Sequence, residues 1–126
     1  GSGYGYGDGD KNYWQSTISH FAAKWSGEQR ARLGQLQAAG ATIAFWRSSQ
    51  DGRACNGGSH SVPVTVGTVE RVDGPLKICT AKALHATFLP PKWKGPRVWI
   101  VALIGKVQEE GDKVGALQRE IIGEAL

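Results

Sequence analysis

The chain has 126 residues, of which 40% are hydrophobic and 21% are charged, as is typical of one globular domain. No apolar run approaches the roughly 20 residues of a membrane span, and no secretory signal pattern is present. The net charge of +4 suits an anionic partner but is low for a protein that binds nucleic acid. We therefore expect a cytoplasmic protein with no membrane partner.

The N-terminal sequence GSGYGYGDGD alternates glycine with Tyr, Asp and Ser. Glycine loses the most conformational entropy on folding, and such a tract offers little for a core to bury. We predict that residues 1–10 form a disordered tail and that residues 11–126 form a single domain.

Two helices are predicted after the tail. Trp14, Ile18, Phe21 and Trp25 recur at spacings of four, three and four, which places them on one helical face. Ser26 and Gln29 then match a capping box. The second helix carries Leu33 and Leu36 at helical spacing and is predicted to end at Gly40.

Strands are predicted in the rest of the chain. The sequence ATIAFWRS (41–48) is β-branched and aromatic, residues 62–66 alternate valine with other residues, and residues 76–80 suit a short strand. Residues 97–107 are nearly all apolar, which predicts a central strand with both faces covered. Residues 108–113 are predicted to form a turn.

The C-terminal segment fits two interpretations, a short helix or a strand that packs on the sheet. The predicted class is α+β: an N-terminal helix pair followed by a small, mostly antiparallel sheet of about four strands.

Residues 74–107 contain no Asp or Glu, although they contain six cations, two tryptophans, a histidine and a cysteine. Positive charge beside aromatic side chains is typical of an anion-binding surface. The cations of this segment are Lys77, Lys82, Lys92, Lys94, Arg97 and Lys106.

Four stretches supply candidate ligand-binding residues. At the end of the 41–48 strand, Trp46 and Arg47, with Arg53 beyond, are able to stack on a base and hold a phosphate. The loop CNGGSHS resembles an anion nest, and PPKWKGPR surrounds an aromatic with cations. In the extended LHAT segment, a histidine and a threonine share one side. The candidates from the last three stretches are Ser59, His60, His85, Thr87, Lys92, Trp93, Lys94 and Arg97.

No catalytic residues, metal ligands or cofactor site are predicted. Cys55 and Cys79 lack CxxC spacing and are expected to be free thiols, and the histidines lack the spacing of metal ligands. Each candidate also has a structural alternative: an Arg stem covering Trp46, a plain hairpin loop, a hydrogen-bonded core histidine, or a tryptophan packed into the core. No acid lies near His85 in sequence, which leaves Glu70, Glu109 and Glu120 as spatial partners.

The sequences GPLKIC, LHAT, PPKWKG, VALIGKV and a closing REII together resemble an uncharacterised domain found in phages and bacteria. Members of that family often follow Gly-Tyr-Gly-Asp tracts like residues 3–10. The resemblance covers residues 41–126 and implies a phage context, hence the host cytoplasm. One recurrent kind of accessory protein in that context is a small basic domain that traps nucleotide immune signals.

The hypothesis that follows is an accessory module that binds a phosphate-bearing small ligand, such as a nucleotide or cyclic nucleotide. One alternative is an NAD-using enzyme, because the chain is weakly similar to ADP-ribosyltransferases if Arg47, Thr87 and Glu120 are aligned with their motif. That likeness lacks the paired catalytic acid. The other alternative is a virion or homo-oligomerising structural module.

Overall fold

The computed structural model describes residues 10–56 and 62–125. Within them, two helices precede an antiparallel sheet of seven strands, which confirms the predicted α+β class. The helices are α1 (Lys11–Ala22) and α2 (Gly27–Ala38). The strands are β1 (Thr42–Ser48), β2 (Val69–Arg71), β3 (Leu84–Thr87), β4 (Arg97–Ile104), β5 (Gln108–Glu110), β6 (Lys113–Ala116) and β7 (Gln118–Glu124). The order across the sheet is β2-β7-β4-β1-β3-β6-β5.

Local capping fixes both helices. Asp10, the last residue of the predicted tail, accepts hydrogen bonds from the first turn of α1, while residues 1–9 lie outside the described part of the chain. The predicted capping box of Ser26 and Gln29 is present in full. Gly40 follows α2 with a φ of +87°, and Ala41 N–H donates to the carbonyl of Leu36, closing a Schellman motif.

The central strands β1, β4 and β7 separate two apolar cores because their side chains alternate. We call one side the helix face; its core joins both helices to the sheet and includes Ile18, Leu33, Leu36, Ile43, Phe45, Ile100 and Ile122. We call the other side the cleft face; its core includes Trp46, Val64, Trp99, Val101, Leu103, Val114 and Ile121. Loops rather than helices cover the cleft face, through side chains such as Phe88 and Trp93.

Two predicted strands are wrong. Val62 and Val66 are 70% and 50% exposed, and only Val64 between them is buried. Val64 N–H donates to the carbonyl of Gly52, and Thr65 and Thr68 close a turn, so the valine alternation never meets the sheet. Residues 76–80 are held in turns by local bonds such as that from the Thr80 hydroxyl to the carbonyl of Lys77.

Strand boundaries near the C-terminus also differ from prediction. The central strand β4 ends at Ile104, because Gly105 follows with a φ of +88°. The predicted turn 108–113 is mostly β5 and the start of β6, paired as a hairpin across Gly111. The C-terminal segment is the strand β7, paired with β4 on one side and β2 on the other.

Candidate functional site

A cleft of about 560 Å³ opens on the cleft face. The end of β1, the edge strand β2, the loop before β3, and the strands β3, β6 and β7 all contribute side chains to its wall. Its aromatic and ionisable members are Trp46, Glu70, Cys79, His85, Trp93, Lys113 and Arg119. A cavity of this size, apolar with a few convergent polar groups, is typical of small-molecule sites.

Arg119 forms the floor of the cleft. It is 5% exposed, and its guanidinium lies 4.7 Å from the centre of the Trp46 ring. It donates two hydrogen bonds to Glu70 Oε1, at 2.7 and 3.1 Å, and one to the carbonyl of His85, at 2.6 Å. Burial lowers the pKa of Arg119 while Glu70 opposes the shift, and a guanidinium stays charged at neutral pH. Arg119 thus ties together β7, β2 and β3 beneath the site.

His85 is held as a neutral donor. Its Nε2 accepts a 2.8 Å hydrogen bond from the backbone N–H of Cys79, so the ring proton of the neutral form is on Nδ1. Burial lowers the pKa of His85, and the nearby charges of Lys113 and Arg119 lower it further. Gly115 lies opposite on β6, where a Cβ would stand 3.5 Å from the imidazole.

Cys79 is the one described non-glycine residue with a positive φ, at 65°. Its thiol donates to Glu110 Oε2 at 2.8 Å, and Lys113 Nζ lies 3.8 Å from Sγ. The hydrogen bond to Glu110, followed by burial, raises the pKa of the thiol. Because the thiolate is the reactive form, this arrangement favours a thiol that binds over one that attacks. The imidazole nitrogen nearest to Cys79 is already occupied by the backbone N–H.

Lys113 supplies a cation that forms no ion pair among the described residues. Its side chain lines the cleft, and the described carboxylates form ion pairs only with Arg32, Arg53, Arg97 and Arg119. It faces Glu110 across the β5–β6 ladder without a bond to it. An ammonium in this position is free to meet an anionic group of a ligand.

Three of the predicted ligand-binding residues meet in the cleft: Trp46, His85 and Trp93. Trp46 is only 4% exposed, so Trp93, which is half-buried, is the more accessible indole. None of the three acids left open as partners of His85 bonds its imidazole in the described residues. Glu70 bonds Arg119, and Glu120 bonds Arg32. Ser59 and His60 lie outside the described part of the chain.

The structure places the other predicted residues elsewhere. Arg47 follows Phe45 on the helix face and donates to the carbonyls of Gly95 and Pro90, which anchors the proline-rich loop. Arg53 pairs with Asp51 on the surface, at 2.7 Å. These two arginines have structural contacts and do not reach the cleft.

Thr87 and the remaining cations are also outside the cleft wall. The buried Thr87 hydroxyl donates to Asp112 and accepts from the N–H of Leu89. Arg97 stacks on Trp99 at 4.4 Å and forms two hydrogen bonds with Glu124. Lys92 and Lys94 are exposed.

Sequence reasoning missed Lys113 and Arg119 as site residues. It named Glu70 only as a spatial partner for His85, and it did not assign Cys79 to the site. Strand alternation alone would not have joined Lys113 to Arg119, because the even-numbered Val114 of β6 and the odd-numbered Ile121 of β7 face the same core. No signal in the sequence marks the positive φ of Cys79.

Both cysteines are free thiols, as predicted. Within residues 10–56 and 62–125, no group of three or more His, Cys, Asp or Glu side chains is placed to hold a metal ion. The helices of the same residues are too short or too polar to cross a bilayer.

No protein-family model matches the chain, and neither curated proteins nor solved structures give a significant match.

Proposed function

We propose that the protein is a binding module that captures a small anionic ligand with a flat ring system, such as a nucleotide or cyclic nucleotide. One observation carries the proposal: the Lys113 ammonium, without a carboxylate partner among the described residues, opens into the same cleft as the Trp93 indole. Indole faces stack on nucleobases, and an ammonium meets a phosphate as a point charge.

Chemistry within the cleft favours binding over catalysis. The raised pKa of Cys79 keeps the thiol protonated, and His85 Nε2 is engaged by a backbone donor. An ADP-ribosyltransferase site gains no support, because its three candidate residues have separate partners. Arg47 contacts the proline-rich loop, Thr87 contacts Asp112, and Glu120 forms two bonds with Arg32 on the helix face.

Calorimetry with a panel of mono-, di- and cyclic nucleotides tests the proposal. We expect micromolar or tighter binding by at least one of them. Trp93→Ala is expected to weaken it by roughly 1–3 kcal/mol, the usual contribution of one stacked base. Lys113→Ala is expected to weaken it as well. Lys92→Ala removes the same charge from an exposed site outside the cleft wall and is expected to leave affinity unchanged. Absence of heat and of any thermal shift across the panel would sink the proposal.

The same experiment separates capture from turnover. The resemblance to a phage domain suggests that the module sequesters an immune signal, in which case denaturing the complex returns the ligand intact. Chromatography of the released ligand distinguishes an unchanged nucleotide from a cleaved or transferred one. Free nicotinamide released from NAD would favour the enzyme alternative instead.

A further inference from the structure

We infer that the cleft selects ligands carrying a single negative charge, namely a phosphodiester such as a 3′,5′-cyclic nucleotide, over nucleotides with terminal phosphates. This inference rests on the proposed function and adds the charge class of the ligand. It follows from the balance of charges around Lys113.

The charges lining the cleft nearly cancel. The buried Arg119 is neutralised by Glu70, which receives two of its hydrogen bonds. His85 adds no charge at neutral pH, because burial and the two neighbouring cations disfavour its protonated form. Lys113 is then the one cation lining the described cleft that forms no ion pair.

A second carboxylate limits how much negative charge fits beside Lys113. Glu110 reaches the cleft wall through its hydrogen bond to the Cys79 thiol, and Lys113 lies on the other side of the same sulfur at 3.8 Å. A phosphate at the Lys113 ammonium therefore approaches the Glu110 carboxylate as well. A first negative charge bound at the ammonium is attracted by Lys113 at shorter range than it is repelled by Glu110. Each additional charge is repelled by Glu110, and no further unpaired cation lines the described part of the cleft to offset that repulsion.

Three ligands with the same base test the inference at one pH and ionic strength: the 3′,5′-cyclic monophosphate, the 5′-monophosphate and the 5′-triphosphate. Calorimetry is expected to give the tightest binding for the cyclic form, by about tenfold or more over the triphosphate. A triphosphate that binds as tightly as the cyclic form, or more tightly, would overturn the inference and leave the proposed function standing. Absence of binding by all three would overturn the inference, whereas the proposed function falls only if the whole nucleotide panel gives no binding.

Two neighbouring substitutions locate the source of the selectivity. Glu110→Gln keeps an acceptor for the Cys79 thiol but removes the charge, and it is expected to narrow the gap between cyclic and triphosphate ligands. Glu109→Gln removes the same charge from the next residue of β5, whose side chain points to the opposite side. Equal effects of the two substitutions would show a long-range field and overturn the role of Glu110.

Competition with small phosphates measures the charge preference of the cleft in the wild-type protein, without any substitution. Dimethyl phosphate is a monoanion, whereas inorganic phosphate is mostly a dianion at pH 7.5. Dimethyl phosphate is expected to displace the bound cyclic nucleotide at lower concentration than inorganic phosphate. The reverse order contradicts the inference even if Glu110→Gln fails to fold.

Discussion

Two arginine–glutamate pairs meet the sheet at neighbouring residues of β7, one on each face. On the helix face, Glu120 is buried and its partner Arg32 reaches in from α2 with a side chain that is 47% exposed. On the cleft face the order is reversed: Arg119 has a 6% exposed side chain, and its partner Glu70 is 22% exposed. On the helix face the cation, Arg32, is thus exposed to water. On the cleft face the cation, Arg119, is buried and contacts the Trp46 ring and the His85 carbonyl.

This difference separates a face built for packing from a face built around polar groups. The helix face is closed by two capped helices over an apolar core. The cleft face leaves room for a ligand and holds its wall in place with hydrogen bonds from Arg119 to two other strands. Burying two charges costs desolvation free energy, and the attraction between them offsets that cost only when the geometry is good and hydrogen bonds satisfy both groups. The bonds of Arg119 to Glu70 and to the His85 carbonyl meet this condition.

Of the substitutions that compare the two faces, Arg119→Ala is expected to lower the free energy of unfolding most. The substitution leaves Glu70 without its cation and the carbonyl of His85 without its donor, which costs about 3–5 kcal/mol in the free energy of unfolding. Arg32→Ala is the matched substitution on the helix face and also leaves a carboxylate without its cation, that of Glu120. It is expected to cost less, because Arg32 bonds only side chains, whereas Arg119 also supports the His85 carbonyl and the Trp46 ring. Urea denaturation of both variants gives the two values. A larger loss for Arg32→Ala would reverse the assignment of the two faces.

Gly123→Ala tests the tight packing of the helix face. A Cβ at this residue would overlap the indole of Trp25, which is itself held by a 2.8 Å hydrogen bond from Nε1 to the carbonyl of Glu124. Overpacking of this kind costs about 1–3 kcal/mol, and we expect a corresponding fall in the denaturation midpoint. A neutral result would mean that Trp25 moves freely, and the helix face would then be looser than its contacts indicate.

The sequence predicts the helix face well because its signals are local. Helical spacing of Trp14 and Ile18, the Ser26 capping box and the terminal Gly40 each act within one or two turns of chain. The long apolar run of β4 likewise predicts a central strand without information from the rest of the chain. These features are sufficient for the α+β class and for the helix pair.

The cleft face is difficult to predict from the sequence, because its contacts join residues that are distant in the chain. Arg119 lies 49 residues from Glu70 and 34 from the His85 carbonyl that it bonds. Exposed cations such as Lys92 dominate the basic segment, yet both cations that line the cleft, Lys113 and Arg119, lie outside that segment. The two tryptophans and His85 were predictable as candidates, but their companions depend on the register of β6 and β7.

Gly34→Ala is the smaller, opposite counterpart of Gly123→Ala. Gly34 lies in the exposed part of α2, where a Cβ would meet no atom within 4 Å. Alanine in a helix interior is more favourable than glycine by about 0.5–1 kcal/mol, so thermal denaturation is expected to show a stabilised protein. A destabilised variant would mean that the outer surface of α2 has contacts of its own, contrary to a helix that only covers the sheet.

The smallest expected effect is a dependence of the free energy of unfolding on pH, which arises from His85 on the cleft face. The pKa of His85 is lowered from 6.5 in the fold, so the unfolded chain binds the proton more readily than the folded protein does. The contribution of neutral His85 to stability is therefore complete above about pH 6.5 and is lost as the pH falls, because protonated Nε2 would face the Cys79 N–H. His85→Gln stays neutral throughout, and the difference in unfolding free energy between wild type and this variant is expected to shrink from pH 7.5 to pH 5. His20→Gln, on the exposed surface of α1, controls for the loss of a histidine elsewhere. A difference that stays constant across this range would mean that His85 takes up protons equally in the folded and unfolded states. That result would contradict a His85 side chain held neutral in the cleft.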